Sequence, residues 1–134
     1  MPSSTTSSDL RVLLVDDNEA MLARMAAALT PDCVVVGTAR DGDAALQAAA
    51  GLQPDVIVLD ISMPGMSGLA VASRLRAAGS RAAIVFWTVP REEAIAREAR
   101  EAGGLGYVVK PRLHADLLRA VSDAKAGRTF MSPL

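Results

Sequence analysis

The sequence is poor in several residue types that usually announce chemistry or compartment. It has a single cysteine, Cys33, which excludes an intramolecular disulfide. Because Cys33 opens the apolar run Cys33-Val-Val-Val36, it is read as a small buried hydrophobe. Aromatic side chains make up only 3% of the chain against 51% hydrophobic residues, so the core has to be built from Val, Leu, Ile and Ala. Neither sign of charge dominates: 14 basic and 15 acidic side chains leave a net charge of -1. A nucleic-acid surface would need a basic face or stripe, so direct nucleic-acid binding by this chain is not expected. No apolar run approaches the ~20 residues of a membrane span. Met1 to Ser8 lacks the apolar segment of a signal peptide, which leaves a cytoplasmic protein without membrane contact as the expectation. The one histidine, His114, has no companion ligands nearby in sequence, and no metal or phosphoryl role is assigned to it.

What is present is a regular alternation. The length of 134 residues suits one domain with a real core. Residues 1–8 are small, polar and aperiodic, and are expected to be disordered. Arg11 to Val15 reads as a strand ending at Asp16-Asp17, with Asn18 placed to cap a helix that Thr30-Pro31 stops. Cys33 to Thr38 is a second strand, followed by an Ala-rich helix that Asp43 can cap and that ends near Gly51. A hairpin at Asp41-Gly42 is the weaker reading, since a helical pattern follows. Asp55 to Asp60 is a third strand, and Ser67 opens a helix closed at Gly79. Ala82 to Trp87 is a fourth strand, ending at Thr88. A helix from Arg91 to Ala102 follows, with Ile95 as its only large apolar side chain. Gly106 to Val109 is the fifth strand, ending at Lys110-Pro111, before a helix marked by Leu113, Leu117, Leu118 and Val121 and stopped at Gly127. Continuous apolar strands alternating with helices predict an α/β fold: a doubly wound parallel sheet of five strands, covered on both faces.

In such a sheet the strand ends share one edge, where ligands bind. That edge collects Asp16, Asp17, Asp60, Thr88 and Lys110. A lone Asp at a strand end is usually a helix cap or turn former. Three carboxylates about 4 Å apart, however, repel by a few kcal/mol at intermediate dielectric, so cations have to sit among them. Lys110 supplies one positive charge, and a divalent ion such as Mg²⁺, which favours oxygen ligands and phosphate, is the obvious second. An Asp nucleophile with a metal, a lysine and a hydroxyl donor around it is the equipment of phosphoryl transfer.

The motifs Leu14-Val-Asp-Asp-Asn18, Val58-Leu-Asp-Ile-Ser-Met-Pro-Gly-Met-Ser-Gly68, Phe86-Trp-Thr88 and Gly106-Tyr-Val-Val-Lys-Pro111 together resemble a bacterial two-component response regulator receiver domain. The resemblance covers residues 9–128, and leaves 129–134 as a tail or the start of a linker. It implies a flavodoxin-like (βα)5 fold with strand order 2-1-3-4-5. It implies Asp60 as phosphoacceptor, charged by a sensor histidine kinase or phosphotransfer protein. It further implies Mg²⁺ (or Mn²⁺) ligated by Asp17 and Asp60, by Asp16 through water, and by the backbone carbonyl of Ser62. Lys110 would pair with phosphoryl oxygens, aimed by a cis peptide at Pro111. Thr88 and Tyr107 would be the switch pair, working on a surface formed by the fourth helix, fifth strand and fifth helix.

Two positions depart from the family pattern. Val89 stands where a small residue is usual, and Pro90 follows it, so access to the site and motion of its loop are modulated there. Ser62 and Pro90 also supply little to orient a hydrolytic water, which predicts a long-lived phosphoaspartate. A flavodoxin-like electron carrier would want a Ser/Thr/Gly-rich phosphate loop where Asp16-Asp17 stand. A dehalogenase-type hydrolase would want Asp-x-Asp and a cap domain. For output, the stretch Leu117 to Pro133 resembles the end of receivers in the helix-turn-helix group of transcription regulators. A stand-alone or weakly phosphorylatable receiver acting by protein docking alone is the alternative, and association as a homodimer is left open.

Overall fold

In a computed structural model, residues 10–89 and 93–133 are described. Five strands alternate with five helices: β1 (Arg11–Val15), α1 (Glu19–Leu29), β2 (Val34–Ala39), α2 (Gly42–Leu52), β3 (Val56–Asp60), α3 (Gly68–Ala77), β4 (Ala83–Thr88), α4 (Glu93–Glu101), β5 (Gly106–Val109) and α5 (Leu113–Lys125). A sixth strand, β6 (Phe130–Met131), closes the chain. The sheet order is β2-β1-β3-β4-β5-β6, and every pairing is parallel.

Side chains alternate across each strand, and the alternation sorts the core into two layers. Leu13, Val15, Ile57, Leu59, Ile84, Phe86, Tyr107 and Val109 pack with residues of α2, α3 and α4. Val12, Leu14, Val56, Val58, Val85, Trp87 and Val108 pack with residues of α1 and α5, among them Leu22, Met25, Leu29, Leu117 and Val121. Burial on both faces is why these strands read as unbroken apolar runs. On α4, among residues 95–101, Ala96 and Ala99 are buried and Ile95 is half-buried, in keeping with its thin apolar face.

Local signals act as expected at several ends. The Asn18 side chain accepts the Met21 N–H at 2.9 Å, Ser67 caps α3 through the Ala70 N–H, and Gly79 and Gly127 take positive φ after α3 and α5. Three expectations are corrected. The cap of α2 is Asp41, whose carboxylate accepts the Ala44 N–H at 2.8 Å, while Asp43 falls in the first turn, where its charge suits the helix dipole. The Lys110–Pro111 peptide is trans, and the cis X–Pro bond among the described residues is Thr30–Pro31. Pro111 enters a 3-10 turn, Lys110–Arg112, in whose first turn its missing N–H and preset φ are tolerated, so the ordinary trans form serves.

The third correction concerns the tail, part of which belongs to the sheet. Phe130 and Met131 pair with Gly106 and Tyr107. The Phe130 and Ser132 N–H groups donate to the carbonyls of Leu105 and Tyr107. A two-residue strand is too short for periodicity to reveal, so five strands are expected and six form among the described residues.

Candidate functional site

The site lies at the C-terminal ends of β1, β3, β4 and β5. Asp60 is the last residue of β3, and Asp16 and Lys110 directly follow β1 and β5. Asp60 and Trp87 are register partners. Continuing the pleat past the strand ends puts Asp16, Asp60, Trp87 and Lys110 in one phase of the alternation, so they converge although they come from four strands.

The centre of the site is a lysine held between two acids. Lys110 Nζ lies 2.8 Å from Asp16 Oδ2 and 3.1 Å from Asp60 Oδ2. Both carboxylates are buried and the lysine is half-buried. The remaining oxygens are also engaged: Asp16 Oδ1 accepts the Asn18 N–H at 2.8 Å, and Asp60 Oδ1 accepts the Ser62 N–H at 3.0 Å. Asp16 Oδ2 takes a further hydrogen bond from the indole Nε1 of Trp87 at 2.9 Å.

Burial raises the Asp60 pKa to about 6; the Lys110 charge opposes this and the Asp16 charge adds to it. At pH 7 the carboxylate is still mostly ionised. Burial works against the Lys110 charge as well, but its hydrogen bond to Asp16 and the charge of Asp60 outweigh that and keep its pKa above the ordinary lysine value. The ammonium therefore stays fully charged at neutral pH.

Asp17 is exposed and completes the acidic set. Asp16, Asp17 and Asp60 each offer an oxygen within 4.8 Å of the others. An all-oxygen, all-carboxylate donor set facing solvent on one side fits a small hard cation that keeps waters, which describes Mg²⁺. Thr88 ends β4, is fully buried, and its Oγ1 has no hydrogen-bond partner among the described residues. A buried hydroxyl without a partner is uncommon and leaves its hydrogen-bonding capacity unused. Tyr107 lies buried on β5 beside α4, and Val89 is exposed next to Thr88. Pro90 lies outside the described residues.

Residues 12–122 match the response regulator receiver domain family. The chain belongs to that family. The receiver domain is 35% identical over 123 residues to the nitrate/nitrite response regulator protein NarL of Escherichia coli K12, covering 90% of this chain and 57% of that protein. It therefore spans a little over half the length of that relative. The signal receiver domain of the response regulator NarL from Mycobacterium tuberculosis superposes with a TM-score of 0.85 at 32% identity, over 90% of this chain and 99% of that one. A LuxR-family two-component response regulator from Aurantimonas sp. SI85-9A1 gives 0.84 at 34% identity, over 92% and 89%. Among the described residues of this receiver domain, no helix is long and apolar enough to cross a membrane.

Two contributors to the site escaped the sequence reading. Trp87 packs in the core, as the end of an apolar strand should, but its hydrogen bond to Asp16 depends on the strand order that brings β4 near β1. Gly68 opens α3 directly against the backbone of Asp60, and a Cβ there would collide with the Asp60 carbonyl. The motif ending in Ser67-Gly68 contains that glycine, but only the tertiary approach explains it.

Proposed function

We propose that this receiver domain accepts a phosphoryl group on Asp60 from a sensor histidine kinase or phosphotransfer protein and passes the event to an output through α4, β5 and α5. The observation that carries this reading is the lysine bridge: Lys110 Nζ sits between two buried carboxylates, 3.1 Å from the nucleophile, with a third acid alongside. An Asp60 oxygen attacks the phosphorus of the donor's phosphohistidine. The O–P bond forms as the P–N bond breaks, and the electron pair returns to the imidazole. Lys110 then pairs with the phosphoryl oxygens, and the unpartnered Thr88 hydroxyl donates to another. Asp17, Asp60 and the Ser62 carbonyl, with Asp16 through water, would hold Mg²⁺ (or Mn²⁺). Bound there, the ion would neutralise charge on the transferring group.

Movement of Thr88 and Tyr107 on phosphorylation would alter the α4-β5-α5 face, whose thinly anchored α4 is suited to shift. The domain is a phosphoryl acceptor rather than an enzyme that turns over a substrate. Its kinship to NarL-type regulators supports transcription control in the cytoplasm as the output, through a DNA-binding part of a longer protein. Phosphotransfer from a histidine kinase or a small-molecule phosphodonor, with Asp60→Asn as control, tests the central assignment. Label is expected on the wild type only, and label persisting on the variant overturns it.

A further inference from the structure

Trp87 is fully buried on β4, yet its one polar atom is spent on Asp16, which lies two strands away beyond β3. A carboxylate offers about four lone-pair sites. On Asp16, Oδ2 holds two donors, Trp87 Nε1 at 2.9 Å and Lys110 Nζ at 2.8 Å, and Oδ1 holds the Asn18 N–H at 2.8 Å. One site is left, and it is on Oδ1. If Asp16 turned to present both oxygens to a cation, the indole N–H would be buried without a partner, at a cost of about 1–3 kcal/mol.

We propose that Trp87 is a positioning residue that restricts Asp16 to a single available oxygen and thereby makes the acidic site favour Mg²⁺ over Ca²⁺. The inference rests on the metal-assisted phosphoacceptor reading given above. Mg²⁺ takes carboxylates through one oxygen in near-octahedral geometry and keeps several waters, whereas Ca²⁺ accepts more ligands and readily takes a carboxylate through both oxygens. Lys110 guards the same oxygen, but its ammonium is the group that turns to the phosphoryl oxygens once Asp60 is modified. Trp87 has no such second duty, so it holds Asp16 before and after phosphorylation. Partners of this kind, which touch a ligand rather than the metal, alter metal affinity about 10–100-fold when removed.

The test is Trp87→Phe, which keeps an aromatic body in the core and removes the donor together with part of the buried ring volume, a packing loss that acts on both ions alike. Dissociation constants for Mg²⁺ and Ca²⁺ are measured by calorimetry on the metal-free wild type and variant. Mg²⁺ affinity is expected to fall about tenfold while Ca²⁺ affinity falls less or rises. Equal losses for both ions would mean that Trp87 acts only through packing, and the proposal would be wrong.

A second measurement uses the wild-type fold. The sole tryptophan gives a single indole N–H resonance, expected downfield and slow to exchange, and expected to move in Asp16→Asn. A resonance at the free-indole position, or one indifferent to that change, removes the hydrogen bond on which the argument stands. A wild type that binds neither ion, while its indole resonance still reports Asp16, overturns the metal-assisted reading and the selectivity together. Mg²⁺ binding with unchanged selectivity in the variant overturns the selectivity alone.

Discussion

Ser132 donates its hydroxyl to Oδ2 of the buried Asp116 at 2.7 Å, and the same hydroxyl accepts the backbone N–H of Val109 at 3.3 Å. Asp116 also receives Arg112 Nε and Nη2 at 2.6 and 3.2 Å. The turn that carries Lys110 is thus tied to α5 and to the segment after β6 by one polar network. Arg112 and Ser132 hold the Asp116 carboxyl below its ordinary pKa, against a smaller opposing effect of burial.

Ser132→Ala is expected to destabilise the domain by about 1–3 kcal/mol and to speed amide exchange at Phe130 and Met131. The depressed Asp116 pKa gives a sign for pH: its contribution is present above the unfolded value of about 4 and is lost as pH falls through the lower folded value. The gap in urea stability between wild type and variant should therefore narrow in strong acid, down to what the Val109 N–H loses with its acceptor. A constant gap across pH would place the effect elsewhere.

Asp60 behaves in the opposite sense. Its raised pKa means that ionisation costs stability, so this contribution is full below about pH 4 and disappears as pH rises through about 6. Asp60→Asn should raise stability at pH 7 in chelator-treated buffer by about 1–3 kcal/mol, seen as a higher melting temperature. For the wild type, apparent Mg²⁺ affinity should decline as pH drops through about 6, because the proton competes with the metal. Melting that is unchanged by Asp60→Asn would remove the claimed strain.

Lys110→Met leaves Asp16 and Asp60 buried without their shared counter-charge. A loss of about 3–5 kcal/mol is expected without divalent ions, and millimolar Mg²⁺ should restore part of it. The comparison is made by denaturant titration with and without the metal. Mg²⁺ that stabilises wild type and variant equally would show that the lysine and the metal do not share the acids.

Gly68→Ala puts a methyl group into the Asp60 carbonyl. Overpacking of this kind costs about 1–3 kcal/mol. Because the strain falls on the backbone of the proposed phosphoacceptor, phosphorylation of the folded variant should slow as well. Normal phosphorylation in a destabilised but folded variant would separate packing from function.

The phosphoaspartate is expected to persist, since Ser62 and Pro90, two residues past Asp60 and Thr88 in sequence, bring no acid or amide to orient water. Loss of radiolabel from purified phosphorylated protein in Mg²⁺ buffer measures this directly, and a half-life of seconds would contradict it.

Most of the architecture was legible in the chain because each signal is local. Apolar runs, the caps at Asn18 and Ser67, and the stops at Pro31, Gly79 and Gly127 act within a turn or two of themselves. Parallel topology follows from short connections between strands and helices, and it gathers Asp16, Asp17, Asp60, Thr88 and Lys110 on one edge. The Asp41 cap and the brief β6 were missed for the same reason: each is decided by one or two hydrogen bonds that leave no periodic trace.

The composition and order of residues alone determined an aliphatic, doubly wound domain with an acidic, lysine-bearing edge, because hydrophobic periodicity and turn chemistry are written locally. Only the tertiary structure decided how that edge is wired. That Lys110 bridges Asp16 and Asp60, that Trp87 reaches past β3 to Asp16, that Gly68 abuts Asp60, and that Ser132 returns to Asp116 are contacts between residues 8 to 94 positions apart. Such contacts depend on strand order, pleat phase and helix approach, which exist only once the sheet has formed.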